Sequence, residues 1–179
     1  MAFDWFWKAM GSSPKKNQKK SRAVVAQADS SRYSGLSDAE LRDAASDVVT
    51  KQSTSEDGHH FGGQVEDASA LLGILREVAT RTLDMEPFDV QMQGTYRLLH
   101  GDVVEMATGE GKTLAGAMAA VGFALQGKRV HVITVNSYLA GRDNDWMCPM
   151  FDFFGLTHGA INEELSADQR REIYSRDVI

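Results

Sequence analysis

The sequence predicts an α/β fold, a parallel sheet flanked by helices, from three observations. A glycine-bearing turn, Met106-Ala-Thr-Gly-Glu-Gly-Lys-Thr113, separates the apolar pair Val103-Val104 from an Ala-rich run reaching Leu125. A β-branched run, Arg129-Val-His-Val-Ile-Thr-Val135, comes next and has the composition of a buried parallel strand. Upstream, Val65, Ala68, Leu72, Leu75, Ala79 and Leu83 recur at helical spacing and predict a core-facing amphipathic helix.

A chain of 179 residues can bury one respectable core. Its 42% hydrophobic and 25% charged content is that of a globular protein. The longest apolar runs are too short to cross a membrane, and no secretory signal is visible. Cys148 is the single cysteine, so no intramolecular disulfide can form and a zinc site is disfavoured; a reducing compartment, the cytoplasm, is expected. The net charge of −6 is divided between +5 in residues 1–28 and −11 in the remainder. So acidic a body argues against a nucleic-acid face, which needs clustered Lys and Arg.

Residues 1–35 form an amino-terminal segment in which Phe3, Trp5, Phe6, Trp7 and Met10 precede a lysine-rich run. Two readings stand side by side: an interfacial membrane anchor, or a short helix packing its rings on the domain ahead of a solvated linker. Gly11-Ser-Ser-Pro14 punctuates the junction, and the Lys/Asn/Gln/Ser-rich stretch beyond it predicts a flexible linker. Ser37, with Glu40 three residues on and Leu36 before it, predicts a capped helix running to about Lys51. Residues 52–63 are polar and aperiodic, a loop in which His59-His60 has no companion ligands. Pro87 ends the long helix and Asp89 is placed to cap the next, with Gln91 on its first turn. A primary amide offers a donor beside an acceptor, the complement of the adenine N6/N7 edge.

Beyond the Ala-rich helix, Gly127 is a natural stop. The loop from Thr134 to Asp143 lies on the same strand edge as the glycine turn, where open parallel sheets place their ligands. Helix then continues past Pro149 to Gly155, and residues 157–161 predict a third strand. Ser166 with Gln169 opens another capped helix, and Asp177-Val178-Ile179 begins a further strand.

The chemistry centres on the turn. Gly109 and Gly111 lack a Cβ, which lets backbone N–H groups curl around phosphate oxygens. The helix from Lys112-Thr113 directs its unpaired N–H groups and positive dipole end at the same anion. Lys112 then reaches the β- and γ-phosphates, and the Thr113 hydroxyl ligates Mg²⁺. Met106 departs from the usual glycine at the first position of such a loop.

The stretches Pro87-Phe-Asp-Val-Gln91, Gly101 to Leu114, Thr134-Val-Asn136 to Arg142-Asp143 with Trp146-Met147, Phe153-Phe-Gly-Leu156 and Asp168 to Asp177 resemble SecA, the ATPase motor of protein export. The resemblance covers roughly residues 36–179 and accounts for Met106, which that family carries. It implies a RecA-like, DEAD-like sheet with a helical amino-terminal extension. It implies that Met85 and Gln91 contact adenine with Phe88 lining that side. Thr108, Gly109, Glu110, Gly111, Lys112 and Thr113 would hold the phosphates of ATP, with Mg²⁺ on Thr113 and catalysis depending on Lys112 and Thr113. Two positions depart from the housekeeping pattern, Ala107 where a basic residue is usual and Ser137 where Asp is usual, and Ala107 followed by Thr-Gly-Glu-Gly-Lys-Thr-Leu-Ala-Gly-Ala117 resembles the accessory actinobacterial SecA.

The implied partners are preproteins and a SecY-type channel, with peripheral contact at the inner face of the cell membrane through the amino terminus and no nucleic acid; homodimerisation stays open. No apolar run ends in the Asp-Glu pair that phosphoryl transfer requires. Residues 36–179 are therefore expected to be the first part of a nucleotide-binding domain, incomplete before that strand, binding nucleotide without turnover when taken alone. Two alternatives remain: a nucleic-acid helicase of the same superfamily, and a non-catalytic nucleotide-binding module.

Overall fold

The computed structural model describes residues 14–53 and 65–179. Among the described residues seven helices run in order: α1 (Pro14–Val25), α2 (Asp38–Ser53), α3 (Val65–Leu83), α4 (Asp89–Leu99), α5 (Lys112–Leu125), α6 (Ser137–Phe153) and α7 (Ala167–Ile173), with a 3₁₀ turn at Ser30–Arg32. The aromatic residues before Met10 and the His59-His60 loop lie outside the described residues.

The stretch expected to be a flexible linker is instead α1, which lies against α3 and α4. Its polar composition hides two apolar residues at its end: Val24 and Val25 are buried in the core, with Ala28 just beyond. A helix needs only a narrow apolar contact to dock once partner helices supply the facing surface.

The long helix α3 is the centre of the core. Ala68, Leu72, Leu75 and Ala79 are buried as their spacing predicts, and so are Leu71, Ile74 and Val78 on the remaining sides. Neighbours on several sides explain this wrapping: α1, α2, α4 and α6 all pack on α3. Arg81 ties its far end down, bonding Glu77, Asp38 and the carbonyls of Tyr33 and Ser34.

The capping signals hold. The Ser37 N–H donates to Glu40 at 2.7 Å while Glu40 N–H returns to Ser37 Oγ at 3.3 Å. The same reciprocal pair joins Ser166 and Gln169 at the start of α7, and Gly127 ends α5 with φ +74°. Asp89 is different: Phe88 occupies the cap position of α4, and Asp89 pairs with Arg76 at 2.6 Å. Pro149 is tolerated inside α6 because the Cys148 thiol donates to the Asp145 carbonyl, 3.1 Å away, the acceptor that a proline at 149 leaves without its helical donor.

Of the expected sheet, only isolated bridges form among the described residues. Among the described residues no multi-residue strand forms, and two parallel bridges join Val130 to Val178 and His158 to Val178. The 177–179 segment is therefore central, with 130–132 on one side and 157–159 on the other, connected through α6 and α7. The parallel direction agrees with expectation, whereas the burial does not. Ile133 is 90% exposed, Val135 87% and Val103 98%. A strand is buried by neighbours on its edges and faces, and segment 103–106 has no ladder partner among the described residues.

Asp177 holds this arrangement together. Its Oδ2 accepts from the Thr157 N–H at 2.8 Å and hydroxyl at 2.6 Å, and those bonds hold the carboxyl below its usual range. A depressed folded value stabilises above the unfolded pKa and is lost as pH falls through the folded one. Asp177→Ala is thus expected to cost about 1 kcal/mol at neutral pH, the difference from the parent closing as pH falls below about 4; urea unfolding at both pH values measures it.

Candidate nucleotide-binding site

The glycine turn leads directly into α5. Gly109 and Gly111 lie in the left-handed region at φ +89° and +79°, conformations that side chains disfavour. Gly111 is the cap residue of α5 and supplies no side-chain acceptor. Among the described residues, the N–H groups of Gly109, Gly111, Lys112 and Thr113 donate to no protein acceptor, and the Thr113 hydroxyl has no partner. Unpaired donors at a helix start, beside an ammonium, are what an anion takes up.

The loop is held by its own charged residues. Glu110 Oε2 accepts from the Ala107 N–H at 2.9 Å, and Lys112 Nζ donates to the Ala107 carbonyl at 2.9 Å. Lys112 is exposed, so its ammonium is free to exchange that neutral acceptor for phosphate. The Glu110 clasp is not readable from the sequence, since a carboxylate beside a glycine turn has no distinctive spacing.

Met106 is buried, and its side chain explains the departure at the first loop position. A Cβ placed on Gly94 would meet its sulfur at 3.0 Å and the Val104 Cγ1 at 3.8 Å. The segment entering the loop therefore lays Val104 and Met106 on α4 and leaves Val103 facing out. Thr95 fixes the opposite side, its hydroxyl bonding the carbonyls of Gln91 and Ala115 and so joining α4 to α5.

Gln91 is brought to the loop. It is 5% exposed; Oε1 accepts from the Phe88 N–H at 2.9 Å, and Nε2 donates to the Glu110 carbonyl at 3.0 Å. Any Cβ on Gly111 would overlap Nε2. Its amide is thus engaged on both ends, as a strut between the α4 start and the phosphate cradle. Met85 and Phe88 are exposed, at 41% and 73%, on the rim beside that strut.

The strand-edge loop also arrives at the site. Asn136 caps α6 through Leu139 N–H at 2.8 Å, and the next turns bring Arg142, Asp143 and Trp146 to a recess of about 280 Å³ that they share with Thr113. Glu163 hydrogen-bonds Ser137 at the same helix start, which holds its carboxyl below the usual range. Taken together, free backbone donors, Lys112 and an available Thr113 hydroxyl fit the phosphates of a nucleotide and a hard cation that takes oxygen ligands. Among the described residues no cluster of three His, Cys, Asp or Glu is suited to a metal.

Residues 6–179 match the family described as the SecA DEAD-like domain. The chain is 93% identical over 179 residues to protein translocase subunit SecA 2 of Corynebacterium jeikeium, covering 100% of this chain and 23% of that protein. It is 50% identical over 179 residues to SecA 2 of Corynebacterium diphtheriae, 99% of this chain against 22% of the relative. Similarity to protein translocase subunit SecA of Mycobacterium avium is 47% over 177 residues, 97% against 21%. The chain spans less than a quarter of the length of these relatives.

Proposed function

The chain belongs to the SecA DEAD-like domain family, in the company of proteins named SecA 2, and from this we propose that it is the nucleotide-gripping part of an ATP-driven preprotein translocase. The observation that carries the proposal is the cradle at Gly109–Thr113, four unpaired N–H groups with Lys112 beside them. In this reading the cradle and Lys112 bind the β- and γ-phosphates, Thr108 and Glu110 border them, and Gln91, Met85 and Phe88 face the base. Thr113 would hold Mg²⁺, which when bound neutralises charge on the phosphates. Residues 36–179 are the first part of a RecA-like nucleotide-binding domain whose sheet is parallel, with the amino-terminal helix docked on it.

The coupled partners are a SecY-type channel and exported polypeptides, and the site of action is the cytoplasmic face of the membrane. Among the described residues no helix is long and apolar enough to cross it. Residues 36–179 hold no Asp-Glu pair closing an apolar run, so on their own they bind nucleotide without turning it over. The test is the ATPase of the full-length protein. Stimulation by preprotein with channel-containing vesicles is expected; stimulation by RNA or DNA in their place would instead establish a helicase.

A further inference from the structure

We propose that Arg142 is the residue that distinguishes ATP from ADP, leaving Asp143 to grip the terminal phosphate when one is present. The inference rests on the phosphate-loop reading above and extends it to a helix that supplies no part of that loop. Arg142 stands in α6 and borders, with Asp143 and Trp146, the recess that also touches Thr113. Arg142 is thus the basic side chain among the residues lining the recess on the Thr113 side of the turn.

Arg142 is already engaged, but weakly. Its Nε and one terminal nitrogen donate to Asp143 Oδ1 at 2.9 and 2.5 Å. Adjacent residues on a helix do not face each other, so the pair forms only by the guanidinium curling back along its own turn. The Arg142 side chain is 53% exposed, against 20% for Asp143. A half-exposed ion pair contributes little, whereas a guanidinium on phosphate makes parallel charge-assisted bonds that are stronger. The exchange therefore favours phosphate whenever the terminal group is there. With ADP there is nothing to reach, and Asp143 retains the guanidinium.

Isothermal titration of the full-length protein with ADP and with a non-hydrolysable ATP analogue, both with Mg²⁺, tests this. Arg142→Ala is expected to weaken the analogue at least about tenfold while ADP stays within about twofold. Arg142→Lys should recover part of the loss, and Asp143→Asn, which releases the guanidinium, should tighten the analogue alone. Equal losses for both nucleotides, or no loss for the analogue, would overturn the assignment; if Arg142→Ala does not fold by thermal melting, Arg142→Lys and Asp143→Asn carry the same comparison. Lys112→Ala in parallel separates the two readings, because an unchanged affinity for both nucleotides there would reject the phosphate loop itself.

Discussion

Lys112→Ala is expected to weaken ATP binding by the full-length protein about 10- to 100-fold without lowering its melting temperature. The two halves of that expectation come from different contacts. A hydrogen bond to a charged group contributes about 1.5–3 kcal/mol, which converts to that range of affinity. In the structure the same ammonium bonds only the Ala107 carbonyl from an exposed position, and surface substitutions of that kind stay within about 0.5 kcal/mol. Titration with nucleotide and a thermal melt, run on the same preparation, read the two separately. Loss of both together would mean that Lys112 supports the loop's folding rather than its ligand.

Gly111→Ala carries the second large effect, and it acts through Gln91. The alanine Cβ meets two obstacles at once: a left-handed backbone at φ +79° and the Gln91 Nε2 in the space it would fill. Backbone strain of this kind costs about 1–3 kcal/mol, and displacing Gln91 breaks the bond to the Glu110 carbonyl that positions the cradle. Both stability and nucleotide affinity are expected to fall, affinity by about tenfold or more. A double-mutant cycle with Gln91→Ala distinguishes the causes. If the clash matters, the second substitution relieves part of the loss, whereas strict additivity would show that backbone strain alone is responsible.

How much of this was legible in the sequence depends on how local each cause is. The left-handed glycine turn, the caps at Ser37 and Ser166 and the stop at Gly127 are each set by a few adjacent residues. They can be read from spacing alone. The docking of α1 could not, because Val24 and Val25 are buried by surfaces of α3 and α4 that lie far along the chain. The β-branched composition of 129–135 announced an extended segment, yet its burial depends on lateral partners, and Ile133 and Val135 remain exposed. Asp89 misled for a related reason: its carboxylate is claimed by Arg76 from another helix before it can cap its own. At the site, Gln91 was legible as an amide near the loop, but its use as a strut required the geometry of Glu110. The meeting of Arg142 with Thr113 was visible only as two loops on one strand edge.

Met106 gives the loop an unusual dependence. Its sulfur is wedged against Gly94 on α4, so the first position of the glycine turn is also part of the protein's hydrophobic interior. Substitutions that never approach a nucleotide, such as a larger residue at 94 or a shorter one at 106, would alter the poise of the turn through packing alone. Selection for tighter grip and selection for a firmer fold therefore act on one shared set of atoms, and neither property is free to drift without carrying the other along.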